Sequence, residues 1–252
     1  GWTLQPGLLV LFSALFIYNL DHVIDSRVQR IPDERAQRYF SSKPILAALV
    51  IFAVVTGLLA GAAPLGAKIV FAAYTVVGLL YGLPVIPLRH SGTRRWMRLK
   101  DIPLAKAWLV GAAVTLGVVL LPVTWVSGPI EARTGYLALF MMVFVVSNVH
   151  MFDVRDLASD REHKIRTLPV MLGVRRAKLA VVALNLVMLM AMAWGWARGI
   201  TAANPEIVIA TSATVVYVLC VRITTPRTIY GIFIDGCLYL PLMLLVLRDA
   251  IL

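Results

Sequence analysis

The 252-residue chain is 60% apolar and 15% charged, with a net charge of +11. Long apolar runs at that composition exclude an ordinary soluble domain and indicate a polytopic membrane protein. The basic excess does not indicate a nucleic-acid partner, because 20 of the 24 Lys and Arg fall in segments 21–44, 86–106, 151–178 and 222–229, which eight spans would place on one membrane face. Such an excess marks the cytoplasmic side.

A spanning helix needs roughly 20 mostly apolar residues. Runs at about 4–20, 44–61, 67–85, 104–123, 136–152, 178–197, 206–221 and 230–247 predict eight spans in an all-α bundle. The chain starts with Gly, so part of the natural N-terminus is expected to be missing, and nothing reads as a cleavable signal. No linker divides it, and we expect a single domain over 1–252.

The first span runs into "NLDHVIDSRVQR", 19–30, where Asp21 and Asp25 sit four apart and share a helix face. The loop after the third span carries Arg89, Arg94, Arg95, Arg98 and Lys100. The fifth span exits into "DVRDLASDREHKIRTLP", where Asp153, Asp156 and Asp160 form one stripe of a continuing helix. Asp21 and Asp25 recur as Asp156 and Asp160 at an offset of 135. This echo predicts two similar four-helix units facing each other, each supplying one acidic cluster. Cys220 and Cys237 fall in spans and read as buried, inert thiols. The Met-rich run at 187–194 reads as packing or lipid-facing surface. Asp235, in the last span, is either a functional intramembrane carboxylate or the partner of Arg222 or Arg227.

Like charges at helical spacing repel, and carboxylates at membrane depth need a partner. A divalent cation that prefers oxygen ligands meets that need, and Mg²⁺ binds through one or two carboxylates plus phosphates and waters. Arg30 beside the first cluster, Arg89 and Lys100 in the loop, and Arg161, Lys164 and Arg166 after the second cluster suit the free oxygens of a diphosphate.

These residues resemble the UbiA superfamily of intramembrane prenyltransferases. "DVRDLASDREHKIRTLPVMLG", 153–173, resembles its second aspartate motif followed by Thr-Leu-Pro. "NLDHVIDSRVQR" resembles the first motif, and "YGLPVIPLR" with "RLKDIPLAKAW" resembles the loop after the fourth family helix. The resemblance implies nine helices around a central cavity, the first of them absent from this sequence. It also implies Mg²⁺-dependent transfer of a prenyl group from a prenyl diphosphate to an aromatic or other lipid-soluble acceptor. Carried over, Asp21 and Asp25 would hold one metal, and Asp153, Asp156 and Asp160 the other. Asp21, Asp25, Asp156 and Asp160 would be the catalytic carboxylates, with Arg30, Lys100 and Arg166 at the diphosphate. The first motif departs from the family pattern, since Ile17 and Tyr18 stand where Asn and Asp are usual. Asn19 is shifted by two positions and reaches the site only if the helix end is distorted. Phe12, Phe16 and Tyr18 could face a nascent allyl cation or simply pack. Asp101 and His150 are either proton acceptors or structural. Three alternatives stay open: a transporter, a non-catalytic lipid-binding or assembly relative, and a terpene cyclase of the same scaffold.

Overall fold

The computed structural model describes residues 4–28, 38–90, 93–162 and 165–251, with backbone alone at 25–28, 85–86, 88–90, 93–97, 101, 227, 245 and 248–251. The chain forms two compact units, Gly1–Asp101 with Ala112–Ile130, and Ile102–Gly111 with Glu131–Leu252.

In the first unit, α1 (Gln5–Val28), α2 (Lys43–Ala62) and α3 (Leu65–Gly82) are long apolar helices. Pro44 opens α2 in its first turn, where a missing N–H costs nothing. Along α2, Val50, Val54 and Leu58 are exposed at four-residue spacing, a row that lipid would cover. Leu9 of α1 packs on Ala63, Ala67, Leu121 and Trp125, while Val23 packs on Ile45 and Leu49. Pro84 ends α3, and the chain turns into an antiparallel hairpin of β1 (Pro84–His90) and β2 (Thr93–Arg98). Its register sets Pro87 opposite Trp96 and Arg89 opposite Arg94, with an irregularity between Pro84 and Ile86. This hairpin occupies the segment read from sequence as a loop. A short 3₁₀ turn at Leu99–Asp101 leads out of it.

Helix α4 (Ala105–Trp125) contributes to both units and contains a π-helical stretch at Leu116–Leu120. In the second unit, α5 (Ala132–Arg155) is the scaffold: 61% of its apolar window is buried, against 11% for α2. Phe140 and Phe144 of α5 pack on Met188 and Met192 of α8 (Val174–Ala197). The Met-rich run therefore divides, since Met188 and Met192 are buried while Met190 is exposed. Gly195 of α8 lies so near Tyr136 that an added Cβ would come within 2.8 Å of the ring, a small-residue contact of the kind membrane helices use to approach. Between α5 and α8 lie α6 (Leu157–Glu162) and α7 (Leu168–Leu172). Gly173 joins α7 to α8 at φ 78, a left-handed conformation that glycine adopts without strain.

Among the described residues, six helices are long and apolar enough to cross a membrane, which makes this an integral membrane protein: α1, α2, α3, α4, α5 and α8. The seventh and eighth predicted runs correspond to shorter apolar helices, Pro205–Cys220 (α9) and the Thr228–Leu244 part of α10 (Arg227–Ile251). At 1.5 Å per residue, the 16 residues of α9 reach roughly 24 Å, short of a ~30 Å hydrocarbon core. Cys237 is half-buried and Cys220 is exposed, so the expectation of two buried thiols is corrected for Cys220, which ends α9.

Candidate active site: two aspartate half-sites

The first half-site is built where α1 passes the end of α3. Lys100 Nζ lies 2.7 and 2.9 Å from the two carboxylate oxygens of Asp21. Both side chains are largely buried, and the ammonium lies 5.1 Å from the centroid of the Tyr81 ring. Gly82 makes the arrangement possible, because a Cβ there would stand 2.6 Å from Asp21 Oδ1. The motif "YG" at 81–82 thus supplies a ring for the cation and a gap for the acid. Arg98, at the end of β2, is buried as well.

Other first-motif residues are placed differently. Helix α1 continues undistorted past Asn19, whose Nδ2 donates to its own helix at Leu15 O, 2.7 Å away. Tyr18 is exposed, with its ring edge-on to His22 at 4.4 Å, and His22 stacks on Phe40. Phe16 packs beside Val23 and Ile45, and Phe12 contacts Phe52. Arg30 lies outside the described residues, as do the side chains of Asp25, Arg89 and Asp101.

The second half-site sits where α5 ends. The helix does not run on as a single stripe. Asp156 is its C-cap, and α6 begins again at Leu157, although Asp156 N to Phe152 O and Asp160 N to Asp156 O keep helical spacing at 2.9 Å. Each aspartate has its own partner. Asp153 is buried, with Lys106 Nζ 3.2 Å from Oδ1 and His150 Nδ1 3.5 Å from Oδ2. The latter contact lacks hydrogen-bond geometry. Asp156 takes a two-pronged contact from its neighbour Arg155, Nε to Oδ1 at 2.8 Å and Nη2 to Oδ2 at 2.6 Å. The Arg155 guanidinium also lies 4.8 Å from the Phe152 ring, and the charge of Asp235 reaches it. Asp160 is buried and accepts a hydrogen bond from the Thr167 hydroxyl at 3.0 Å. Burial pushes its carboxyl above the usual range. The Thr167 bond and Lys106 oppose that rise, while Asp153 and Asp156 add to it.

Arg161 and Arg166 are exposed, and Lys164 between them lies outside the described residues. Asp235 is exposed on α10. Earlier along α5, Tyr217 donates to Asn148 Oδ1, and Asn185 donates to Ser147 Oγ at 2.7 Å. These polar groups pin α5 to α9 and α8.

Lys106, Arg155, Thr167 and Gly82 all lie within the quoted motifs, but motif reading gave none of them a role of its own. The strongest available signal was Lys106 itself, a lone cation opening an otherwise apolar helix.

The sequence pattern of the UbiA prenyltransferase family matches residues 3–233. The chain belongs to this family. No curated protein matches it. Among solved structures, a UbiA homolog from Archaeoglobus fulgidus bound to GPP and Mg²⁺ is similar at a TM-score of 0.61 and 16% identity, over 96% of this chain and 88% of that one. The same homolog bound to DMAPP and Mg²⁺ gives a TM-score of 0.62 at 15% identity, with the same coverage. A Cd²⁺-bound form gives 0.60 at 15%, over 95% and 86%. At these identities the likeness concerns the fold.

The donor chemistry of the acids suits magnesium, since they offer oxygen only, and burial with the neighbouring Asp153 and Asp156 disfavours a bare charge on Asp160. Among the described residues, no three His, Cys, Asp or Glu side chains gather into a ready-made metal cage.

Proposed function

We propose that this family member transfers a prenyl group from a prenyl diphosphate to a lipid-soluble acceptor, with Mg²⁺ held by Asp21 and Asp25 in one unit and by Asp156 and Asp160 in the other. In this reading the charged loops of an eight-span arrangement face the cytoplasm. The observation that carries it is the pairing of motif carboxylates with protein cations, Lys100 on Asp21 and Arg155 on Asp156. Such pairs store both components that a metal–diphosphate needs, acids for the metal and cations for phosphate oxygens.

The difficult step is heterolysis of the allylic C1–O bond, in which the leaving diphosphate gains negative charge. Bound Mg²⁺ neutralises part of that developing charge. Lys100 hydrogen-bonds Asp21 before substrate arrives and is held over Tyr81, so it is already oriented where an anion would enter. Arg155, resting on Phe152 beside Asp156, is similarly preorganised. Exposed Arg161 and Arg166 attract the anionic donor at the rim, joined in this reading by Arg30, Arg89 and Lys164. The apolar helices keep water from the allyl cation and accommodate the prenyl tail.

The test is to incubate purified protein with Mg²⁺ and prenyl diphosphates of several lengths, with and without a lipid extract, and to measure pyrophosphate release. Release that requires the extract supports transfer. Release with a hydrocarbon product in its absence indicates a cyclase, and no release with any donor defeats both.

A further inference from the structure

We propose that Lys106 is the diphosphate-contacting cation of the second half-site and that Asp153 is the carboxylate that positions it, not a metal ligand; this rests on the transferase reading. Lys106 lies in the first turn of α4 and Asp153 in the last turn of α5. Both charges stand where a helix dipole disfavours them, a cation at an N-terminus and an acid at a C-terminus. Neither placement serves its own helix. The two satisfy each other across the α4–α5 contact, with Nζ 3.2 Å from Oδ1.

Their exposure is unequal. The Asp153 side chain is 3% exposed, while that of Lys106 is 39% exposed. A carboxylate sunk this far, deeper than Asp21 at 17% and Asp156 at 29% exposure, leaves little room for a hydrated ion and anchors a cation instead. A lysine on so exposed a side chain can reach a phosphate oxygen as a point charge.

The chain around Lys106 is shaped to put it there. Leu104 has φ 66, an uncommon conformation for a leucine, and it starts α4 two residues before the lysine. Five residues further on, Gly111 lets α4 lie against α5, since a Cβ would come within 2.8 Å of Met142 Sδ and 2.9 Å of Val146 Cγ2. Strained backbone and close approach together fix the register that joins Lys106 to Asp153.

The experiment measures binding of inorganic pyrophosphate with Mg²⁺ to the full chain in detergent by calorimetry, and the Mg²⁺ half-saturation of that binding. Lys106→Met should weaken pyrophosphate binding about tenfold or more, as expected for loss of a charged hydrogen bond, and Lys106→Arg should restore most of it. Asp153→Asn should reproduce the loss while leaving Mg²⁺ half-saturation within about twofold, and should add little in combination with Lys106→Met. Asp156→Asn should instead raise the Mg²⁺ requirement. The proposal is overturned if Asp153→Asn raises the Mg²⁺ requirement as Asp156→Asn does. It is equally overturned if folded Lys106→Met, or Lys106→Gln should the methionine variant not fold, binds pyrophosphate like the wild type, or if the wild type does not bind it. Lys106-dependent binding without prenyl transfer from any donor would sink the transferase reading and leave this inference standing.

Discussion

Lys100 bridges both oxygens of Asp21, at 2.7 and 2.9 Å, across 79 residues of sequence. The contact ties the residue that ends the first apolar run to the cation that closes the hairpin segment. It also explains why a glycine stands at 82, where any side chain would press on the same carboxylate.

Replacing that glycine therefore tests the first half-site without touching an ionisable group. Gly82→Ala places a Cβ 2.6 Å from Asp21 Oδ1. The acid must move, and misplacement of about 1 Å can cost on the order of 100-fold in rate. We expect kcat to fall by about that factor while the melting temperature changes by only a few degrees, measured by pyrophosphate release and thermal unfolding.

Asp160 gives a prediction with a definite sign. Its carboxyl is raised by burial and by Asp153 and Asp156, with Thr167 and Lys106 in partial opposition. A raised acid binds its proton more tightly in the folded than in the unfolded state. Metal-free stability should therefore fall as pH rises from the ordinary aspartate value through the raised one, and stay lower above it. Asp160→Asn should flatten that slope and be more stable than wild type at neutral pH without metal, while losing transfer activity. Chemical unfolding in detergent across pH 3–8, with EDTA present, reads the slope.

The inner polar contacts should matter for stability and not for metal. Tyr217→Phe removes the donor to Asn148, whose Nδ2 already lacks a hydrogen bond. Interhelical hydrogen bonds of this kind contribute about 0.6 kcal/mol and at most about 1.7 kcal/mol in a measured membrane protein. We expect a loss of that order in unfolding free energy and an unchanged Mg²⁺ half-saturation.

Apolar run length located the long helices closely, because spanning a bilayer demands about 20 apolar residues whatever the tertiary contacts. The same criterion said nothing of the hairpin at Pro84–Arg98, where Pro84 and Pro87 argue against a strand and the pairing depends on a partner across the turn. The break at Asp156 was equally hidden. A D-x-x-D-x-x-x-D spacing reads as one stripe, yet the helix pauses at the middle acid, beside which Arg155 folds back onto the carboxylate. The motifs named the acids and Lys100, but gave no role to the cations at Asp153 and Asp156. Lys106 is 47 residues from Asp153, and only the packing of α4 on α5 at Gly111 makes them neighbours.

The most direct measurement is Mg²⁺-dependent prenyl product formation by the wild type, Asp21→Asn and Asp156→Asn, each verified as folded. The account predicts robust product from the wild type and a loss of about 100-fold or more from each single variant, because a leaving diphosphate deprived of electrostatic support forfeits several kcal/mol of stabilisation. Wild-type turnover that persists unchanged in either variant, or proceeds equally with EDTA, would contradict it.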